Sequence, residues 1–441
     1  MQNGSNSIPF VQNNVNVCRI LNSFLYLCRH KFYVYMHKVV KKAARCLLLT
    51  LFFIMGQAGL RAQRVNDSIT VTLLTCSPGD LVYELYGHTA IRITDHTLGR
   101  DDIFNYGVFE FNKPHFIWNF MLGKTDYMVQ PLPYFIFEEE YVHRGSSIVS
   151  QQLNLTTAEA NDLYNKLLAN SRPENRTYRY NFLYCNCTTK VRDMVESAIR
   201  GVVKYKEREK KTYRESLHEY TEGSPWCQLG NDLLLGASTD TVLSDRSLMF
   251  LPRNLMEYVS EAVIYDSLCN ARPMMYGKPQ YLLQEGQHPQ VETFPLHPVT
   301  CALIFSGVLL LIAGLEYAFR RLFWLLDLLL MPAIGAAGML ITFMLLFSEH
   351  PAVDSNWQAW VFNPLPLFCM PWVVWSAIKR RRCWYHYLNA GILLLFLVAS
   401  PWIPQHFSSI TLIVTLGLLT RPVSYLVNFG RLKPKKVKKK K

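Results

Sequence analysis

The sequence divides into a part of mixed polarity and a C-terminal part in which long apolar stretches alternate with clusters of Lys and Arg. Five of these stretches have about the 20 residues that a helix needs to cross a bilayer. They lie at 298–319, 322–347, 357–378, 385–403 and 408–429. The pattern predicts a water-soluble domain over 63–296, an all-α bundle of five transmembrane helices over 297–430, and a Lys-rich tail over 431–441.

Basic residues in the loops give the predicted orientation of these helices. Arg320-Arg321 and Lys379–Arg382 follow the first and third stretches, and the tail follows the fifth, so all three lie on one side of the membrane. The loop 348–354 on the other side has no Lys or Arg. Because cytoplasmic loops carry the excess of positive charge, the C-terminus is predicted to be cytoplasmic and the domain before the helices to face the periplasm of a bacterial inner membrane. A tail that binds lipid or a partner protein is the alternative.

Residues 36–62 have the pattern of a secretory signal peptide. A cationic stretch, Met36–Arg45, precedes an apolar stretch, Cys46–Gly56, and small residues lead to a predicted cleavage after Ala62. Export of the following domain agrees with the orientation that the loops predict. An uncleaved anchor is the alternative, and we interpret residues 1–35 as a spurious or disordered extension before the signal.

The net charge of +13 does not indicate nucleic-acid binding once it is located along the chain. Residues 1–62 hold eight basic and no acidic residues, and residues 297–441 hold 15 basic and four acidic ones. The domain over 63–296 is left with 23 basic and 29 acidic residues, a net charge of −6. A domain of this kind lacks the basic surface that neutralises phosphates, so the bilayer remains as a partner and nucleic acid is excluded.

The soluble domain has the pattern of a mixed α+β fold with antiparallel hairpins. Three segments alternate in the manner of strands, and they lie at 68–75, 88–94 and 102–111. A capping box formed by Thr156 and Glu159 opens a helix predicted over 155–168. Residues 176–184 are predicted to be extended and to lead directly into a helix over 187–200.

Cys187 is the best candidate for a nucleophile, because it lies in the first turn of that helix. Val191, Met194 and Ala198 recur at helical spacing, which predicts a buried stripe with Cys187 near the same face. First-turn amides are unsatisfied donors at the positive end of the helix dipole, and they favour a thiolate. A cysteine at a helix start is nevertheless more often structural than catalytic, and that alternative stays open.

His88 is the histidine best placed to act as the base. It opens a predicted strand directly after Gly87, where a ring can project from a sheet edge toward the start of a helix. A base at that point could activate Cys187. A histidine in a strand is usually a satisfied surface or core residue, so a structural role is again the alternative.

The segments Tyr86–Ile93 and Asn186–Asp193, with Asn105–Phe111 between them, resemble the Lnb N-terminal periplasmic domain family of bacterial membrane proteins. The resemblance covers roughly residues 68–260. The order of a histidine strand before an Asn-Cys helix start also resembles circularly permuted papain-like hydrolases and acyltransferases of the NlpC-like and lecithin:retinol acyltransferase-like group. This second resemblance implies a permuted papain-like fold in the periplasmic domain.

The same resemblance implies Cys187 as nucleophile and His88 as general base. In that group a third polar side chain on the next strand orients the imidazole. The candidates here are Asn105, Asp95 and His96, and Asn105 is preferred because it lies in the middle of the next predicted strand.

The leading functional hypothesis is a membrane-anchored periplasmic thiol hydrolase or acyltransferase that acts on an amide or ester of the cell envelope. Peptidoglycan stem peptides, lipid-linked acyl groups and exported proteins are the substrate classes within reach, and the five spans favour lipid or a membrane partner. The alternative is an inactive binding or assembly module with a membrane protein partner. The aromatic residues that could line a groove, or belong to the core, are Trp118, Tyr127, Phe135 and Phe137.

No cofactor and no metal site is predicted. Cys185 and Cys187 are too close in sequence to form a metal-binding pair with His88, and no second pair exists. The exported segment holds five cysteines, an odd number, so at least one stays free or pairs between chains. A disulfide between Cys227 and either Cys269 or Cys76 is open.

Two acidic residues, Glu316 and Asp327, fall within or beside the predicted spans. Ionisable residues in a membrane usually mark functional sites. Here the neighbouring Arg320 and Arg321 predict ion pairs at the membrane boundary instead.

Overall fold

The fold is taken from a computed structural model, which describes Lys42 and residues 69–110, 112, 114–287 and 294–431. The predicted extension and signal peptide, apart from Lys42, and the tail beyond Arg431 lie outside the described residues.

An antiparallel sheet of seven strands is the centre of the N-terminal domain, in the order β10-β5-β1-β2-β3-β4-β6, and a smaller sheet has the order β7-β8-β9. The strands are β1 (Ile69–Cys76), β2 (His88–Asp95), β3 (Arg100–Val108), β4 (Asp126–Pro133), β5 (Ile148–Gln152), β6 (Thr177–Arg179), β7 (Val202–Lys204), β8 (Val263–Tyr265), β9 (Ala271–Pro273) and β10 (Gln280–Leu283). The three predicted strands correspond to β1, β2 and β3, which pair as consecutive antiparallel hairpins. The α+β prediction is confirmed.

The helices of this domain pack on both faces of the sheet. They are α1 (Phe116–Met121), α2 (Tyr134–Arg144), α3 (Thr157–Asn170), α4 (Cys187–Ala198), α5 (Tyr213–Thr221), α6 (Pro225–Leu234), α7 (Asp245–Leu248) and α8 (Pro252–Glu261). The predicted capping box opens α3, where the Glu159 N–H donates to Thr156 Oγ1 at 3.3 Å and the Thr156 N–H donates to Glu159 Oε2 at 2.8 Å.

Alternation along the strands gives the sheet two buried faces. One face carries Ile91 and Phe104 and packs against the predicted stripe of α4, in which Val191 and Ala198 are buried and Met194 is partly buried. The opposite face includes Cys76, Ala90 and Ile103 and is covered by Phe137 and Tyr141 of α2. The start of α4 is therefore held against the middle strands.

Five helices follow the N-terminal domain: α9 (Pro298–Phe319), α10 (Trp324–Phe347), α11 (Leu365–Lys379), α12 (Trp384–Ala399) and α13 (Ser409–Arg431). Within the described residues, four helices are long and apolar enough to cross a membrane, and they lie at 298–319, 324–347, 357–379 and 409–431. The stretch predicted as the fourth span, 385–403, forms the 16-residue helix α12 and a 3-10 turn, Ser400–Trp402, and is not among these four.

The predicted ion pairs of Glu316 and Asp327 with Arg320 and Arg321 are wrong. Both carboxylates instead bind Arg421 of α13. The reason is geometric, because α13 packs beside α9 and places Arg421 inside the bundle, whereas Arg320 takes the left-handed conformation that ends α9.

The N-terminal domain contacts the helical region through α1 and the loops that connect the helices. Trp118 packs against Phe343 of α10 with ring centroids 4.9 Å apart. His350, just after α10, lies with its Nε2 2.8 Å from the carbonyl oxygen of Phe120. Helix α1 is thus held at the end of α10.

Candidate active site

His88 and Cys187 lie side by side where β2 meets α4. His88 is the first residue of β2, Cys187 is the first residue of α4, and the imidazole and the thiol are close enough for each to shift the pKa of the other. The hydroxyls of Thr89 and Thr188, the next residue on each element, lie 3.1 Å apart and join the strand to the helix. A histidine and a cysteine that are 99 positions apart in sequence therefore share one site.

Asn105 forms a hydrogen bond with the ring of His88. Its Oδ1 lies 2.6 Å from His88 Nε2. A carbonyl oxygen can only accept a hydrogen bond, so Nε2 carries the proton of the neutral ring and Nδ1 is left to accept the proton of Cys187.

The other two candidates for the third residue lie away from the site. Asp95 is at the far end of β2, where its Oδ1 accepts hydrogen bonds from the backbone N–H groups of Thr97 and Leu98 at 2.9 and 3.0 Å. His96 follows it, with Nε2 3.0 Å from Thr70 Oγ1. Of the three candidates, the structure brings Asn105 to the ring of His88.

The electrostatics of the pair favour a charged state. Burial opposes the negative charge on Cys187, but the positive charge and hydrogen bond of His88, together with the backbone N–H of Thr89 and the Thr188 hydroxyl, lower its pKa to about 7. Burial likewise opposes the charge on His88, yet the thiolate of Cys187 and hydrogen bonds to Cys187 and Asn105 raise the histidine pKa. Both shifts favour a thiolate beside an imidazolium.

Asn186 fixes where α4 begins and therefore where Cys187 lies. Its side-chain oxygen accepts a hydrogen bond from the Thr189 N–H at 2.9 Å, and its Nδ2 donates to the Phe250 carbonyl at 2.9 Å. The side chain is buried and belongs to the N-terminal cap. Because the cap is anchored to the domain core, the first turn of α4 has a fixed position.

Gly107 makes room for Cys187 on the sheet and was missed by the sequence analysis. It has φ +89°, and the register between β3 and β4 shifts between Tyr106 and Val108, on either side of it. A Cβ at this position would lie 3.4 Å from the Cβ of Cys187. A glycine inside a predicted strand often marks a bulge or a close backbone approach, and that signal was present.

Tyr178 is a second residue that the sequence analysis missed. Its buried Oη has no hydrogen-bond partner among the described residues, and Lys190 Nζ lies 4.8 Å from the centre of its ring. Burial, and beyond it the negative charge of the Cys187 thiolate, raises the pKa of Tyr178, so its hydroxyl keeps its proton. The site thus holds an uncommitted O–H donor within electrostatic range of the thiolate.

A row of four aromatic side chains leads from the site to α1. Tyr180, whose pKa is raised by burial and then by the Cys187 thiolate, is at one end. Its ring stacks on Tyr127 at 4.0 Å, Tyr127 stacks on Phe109 at 4.7 Å, and Phe109 stacks on Phe116 of α1 at 5.5 Å. We call Tyr180, Tyr127, Phe109 and Phe116 the aromatic row.

The four aromatic residues named from the sequence have two different environments. Tyr127 and Phe137 are buried, the first in the aromatic row and the second beneath the sheet. Trp118 and Phe135 are exposed. Only Tyr127 of the four belongs to the row that begins at the thiol.

The remaining cysteines differ from Cys187. Burial raises the pKa of both Cys76 and Cys185. All eight cysteines that the structure describes are free thiols, so the disulfide considered between Cys227 and either Cys269 or Cys76 is not formed. Cys227 lies on α6 and Cys269 in an exposed turn between β8 and β9, on separate elements.

Comparison with known proteins agrees with the division of the chain into two domains. Residues 58–219 match the family described as the Lnb N-terminal periplasmic domain, and residues 289–431 match the Lnb transmembrane domain. No curated protein and no solved structure matches the chain. The two matches occur in the predicted order and together cover most of the sequence, so the resemblance to the Lnb N-terminal periplasmic domain is confirmed. The chain belongs to the Lnb family and is a membrane-spanning protein with an N-terminal periplasmic domain.

Proposed function

We propose that the protein is a membrane-anchored thiol acyltransferase or hydrolase with Cys187 as nucleophile, His88 as general base and Asn105 as the residue that orients the ring. The observation that carries the proposal is the placement of Cys187 at the start of α4 beside His88, whose ring lies 2.6 Å from Asn105 Oδ1, with two pKa shifts that favour the ion pair. A nucleophile, a base and an orienting group in this order are the requirement for covalent catalysis by cysteine. The resemblance to permuted papain-like enzymes supports the same roles.

The reaction would proceed in two steps. The Cys187 thiolate attacks the carbonyl carbon of an ester or amide, a C–S bond forms, and the carbonyl oxygen becomes an oxyanion. The oxyanion then collapses as the bond to the leaving group breaks, and His88 Nδ1 gives its proton to that group. In the second step His88 takes a proton from an amine or from water, which attacks the thioester and releases the thiolate.

Two kinds of donor are available for the oxyanion. The first-turn amides of α4 point out of the helix start, although that of Thr189 is taken by the Asn186 cap. The Tyr178 hydroxyl is the second donor, because it is protonated, buried and without a partner among the described residues. Donors fixed in place before the reaction contribute more to rate than mobile ones.

The acyl group of a membrane lipid fits this site better than a stem peptide does. The aromatic row begins at Tyr180, within electrostatic range of the Cys187 thiolate, and ends at Phe116 of α1, whose neighbour Ile117 is 73% exposed. Trp118 of the same helix packs on Phe343 in the apolar helix α10. An acyl chain that leaves the outer half of the bilayer at α1 could therefore lie along apolar rings on its way to the thiolate.

We also propose that all five C-terminal helices cross the membrane and that the C-terminus is cytoplasmic. The loops after α10 and α12 both contact the N-terminal domain: the Glu349 N–H donates to the Leu122 carbonyl at 2.9 Å, and Gln405 Nε2 donates to the Leu235 carbonyl at 3.2 Å. Helix α12 must then return the chain across the bundle, despite its 16 residues. The basic loops 320–321 and 379–382 are consequently on the opposite side, where the positive-inside rule requires them.

The proposal is tested by trapping the acyl-enzyme. The full chain in lipid nanodiscs that contain a phospholipid with a labelled acyl chain should acquire the label through a bond that hydroxylamine cleaves, and Cys187→Ala should acquire none. Cys185→Ala is the matched control, since it removes a neighbouring thiol with a raised pKa and should leave labelling intact.

A second comparison separates the substrate classes. Phe109→Ala opens the middle of the aromatic row, so labelling should fall for long-chain lipids and change little for a short-chain ester. Labelling by a stem peptide in place of lipid would contradict the lipid assignment. No adduct from lipid, peptide or ester would contradict the enzyme and favour the binding or assembly module.

A further inference from the structure

A buried cluster of three charged side chains joins three helices of the C-terminal bundle. Glu316 of α9, Asp327 of α10 and Arg421 of α13 are 0%, 4% and 6% exposed. Arg421 Nη1 donates to Glu316 Oε2 at 3.0 Å, and Arg421 Nε and Nη2 donate to the Asp327 carboxylate at 3.0 to 3.1 Å. Two carboxylates share one guanidinium.

This cluster would carry one excess negative charge if both carboxylates were ionised. A net charge buried among apolar helices costs several kcal/mol or more, and a group in that position takes up a proton rather than remain unbalanced. No second cation binds either carboxylate within the described residues. One proton is therefore needed to neutralise the cluster.

The two carboxylates accept hydrogen bonds from different numbers of groups. Glu316 also accepts hydrogen bonds from the Ser424 hydroxyl and from the Phe323 N–H, the latter at 2.6 Å. Asp327 accepts hydrogen bonds from Arg421 alone within the part of the chain that the structure describes. Glu316 is thus held as the carboxylate, and Asp327 is the one that can take a proton at the lower cost.

Asp327 also faces a cavity, whereas Glu316 is not part of its lining. The cavity has a volume of about 40 Å³ and is lined by apolar side chains together with the polar groups of Asp327, His386, Asn389 and Arg421. One water needs roughly 10 to 15 Å³ of such volume, so the cavity has room for about three waters. It is too small for a lipid or a metabolite.

His386 supplies the second polar group that points to a ligand. The side chain is 3% exposed, it lines the cavity, and its Nε2 has no hydrogen-bond partner among the described residues. The ring is held in place by stacking on Tyr425, with centroids 3.8 Å apart. An unpartnered ring nitrogen and a carboxylate therefore share one water-sized cavity.

We propose that this cavity is a proton-binding site, in which Asp327 holds one proton as a carboxylic acid and hydrogen-bonds through cavity water to His386 Nε2. The proton comes from a hydronium ion, which leaves as water, and the cluster changes from a charge of −1 to neutral. The ionisable groups around the site are Glu316 of α9, Asp327 of α10, Tyr385 and His386 of α12, and Arg421 and Tyr425 of α13, while α11 contributes Pro366 to the lining.

The position of the site indicates that protons reach it from the side of the basic loops 320–321 and 379–382. Asp327 lies in the first turn of α10 and His386 in the first turn of α12. Both turns directly follow the basic loops 320–321 and 379–382. The site is on the side of the bundle away from Cys187, so it is independent of the proposed thiol chemistry.

Infrared spectroscopy of the full chain in lipid nanodiscs tests this proposal. At neutral pH we expect a carboxylic-acid carbonyl band that moves to lower frequency in D2O and disappears in Asp327→Asn. Glu316→Gln should also remove the band, because it deletes the excess charge and leaves Asp327 paired with Arg421. Asp354→Asn is the matched control, since Asp354 is an exposed aspartate in a loop outside the cluster, and its band should persist.

A variant of His386 tests whether its ring accepts the hydrogen bond from Asp327 through water. His386→Phe keeps the ring stack on Tyr425 and removes the acceptor, so the band should remain and shift in frequency. Absence of the band in the unmodified protein, or its persistence in Asp327→Asn, would overturn the proposal. A band unchanged by His386→Phe would overturn the role given to His386.

Discussion

Asn105 Oδ1 lies 2.6 Å from His88 Nε2, and the charge of the same ring lowers the pKa of the Cys187 thiol. The contact decides the tautomer of the neutral ring, because an amide oxygen accepts and cannot donate. It also stabilises the imidazolium form once the thiol has lost its proton. Asn105 therefore acts on Cys187 through His88.

Alkylation of Cys187 should depend on pH with a midpoint near 7. Its pKa is lowered to about 7 by the charge and hydrogen bond of His88, so the reactive thiolate forms as pH rises through that value. Cys185 should react only at higher pH, because burial raises its pKa. The rate of labelling by iodoacetamide, followed by peptide mass spectrometry between roughly pH 5 and 9, measures both.

His88→Ala should slow the labelling of Cys187 at pH 7, since it removes the charge that stabilises the thiolate. Cys185→Ser is the control and should leave the Cys187 profile unchanged. Equal profiles for the two cysteines would contradict the ion pair.

Asn105→Ala should lower the rate of acyl-enzyme formation by on the order of 100-fold, the scale of a general acid–base contribution. The variant leaves the nucleophile and base in place and frees the ring to rotate. Single-turnover labelling by the acyl donor is the measurement. His96→Gln changes another candidate for this role, at the far end of β2, and its rate should match that of the unmodified protein. A similar loss in both variants would show that Asn105 has no special role.

Local patterns were enough to predict much of the fold. The strands β1, β2 and β3 follow from alternation of polar and apolar residues, and α3 begins at the capping box of Thr156. Cys187 is the first residue of α4, as expected. Alternation and caps depend only on residues a few positions apart, which is why a single sequence was sufficient.

Contacts between distant segments could not be predicted in this way. Arg421 lies 94 residues from Asp327 in sequence, and the adjacent Arg320 and Arg321 were the nearer but wrong partners. Nothing near Tyr178 in the sequence relates it to Cys187. Asn105 was preferred over Asp95 and His96 only for its place in the next strand, because register and side-chain direction depend on tertiary pairing.

Tyr178→Phe should slow acylation by roughly 100-fold to 1,000-fold, the cost of losing one oxyanion donor. The alkylation rate of Cys187 should stay the same, because the hydroxyl has no part in forming the thiolate. Tyr106→Phe is the matched control: its hydroxyl donates to Asn170 Oδ1 at 2.7 Å and its loss should affect stability alone. Equal acylation rates in Tyr178→Phe and the unmodified protein would remove Tyr178 from the mechanism.

Reporter fusions should behave as five spans and a cytoplasmic C-terminus require. A phosphatase that is active only after export should be active when fused after Asp354 and inactive when fused after Arg382. The physical reason is that the first loop contacts the periplasmic domain, whereas the second carries Lys379–Arg382. The reverse pattern, or activity at both positions, would contradict the crossing of α11 and the orientation of the helices.

Gly107→Ala should damage the site more than the same substitution at another glycine with positive φ. Gly107 has φ +89° and Gly99 has φ +61°, so a side chain at either position is strained, at a cost of about 1 to 3 kcal/mol. A Cβ at Gly107 would also lie 3.4 Å from the Cβ of Cys187, whereas a Cβ at Gly99 would meet nothing within 4 Å. Both variants should lose stability in a thermal melt, and only Gly107→Ala should also slow alkylation of Cys187, because only there does the added carbon contact the nucleophilic residue. Equal alkylation rates in the two variants would mean that the absence of a side chain at Gly107 does not affect the Cys187 thiol.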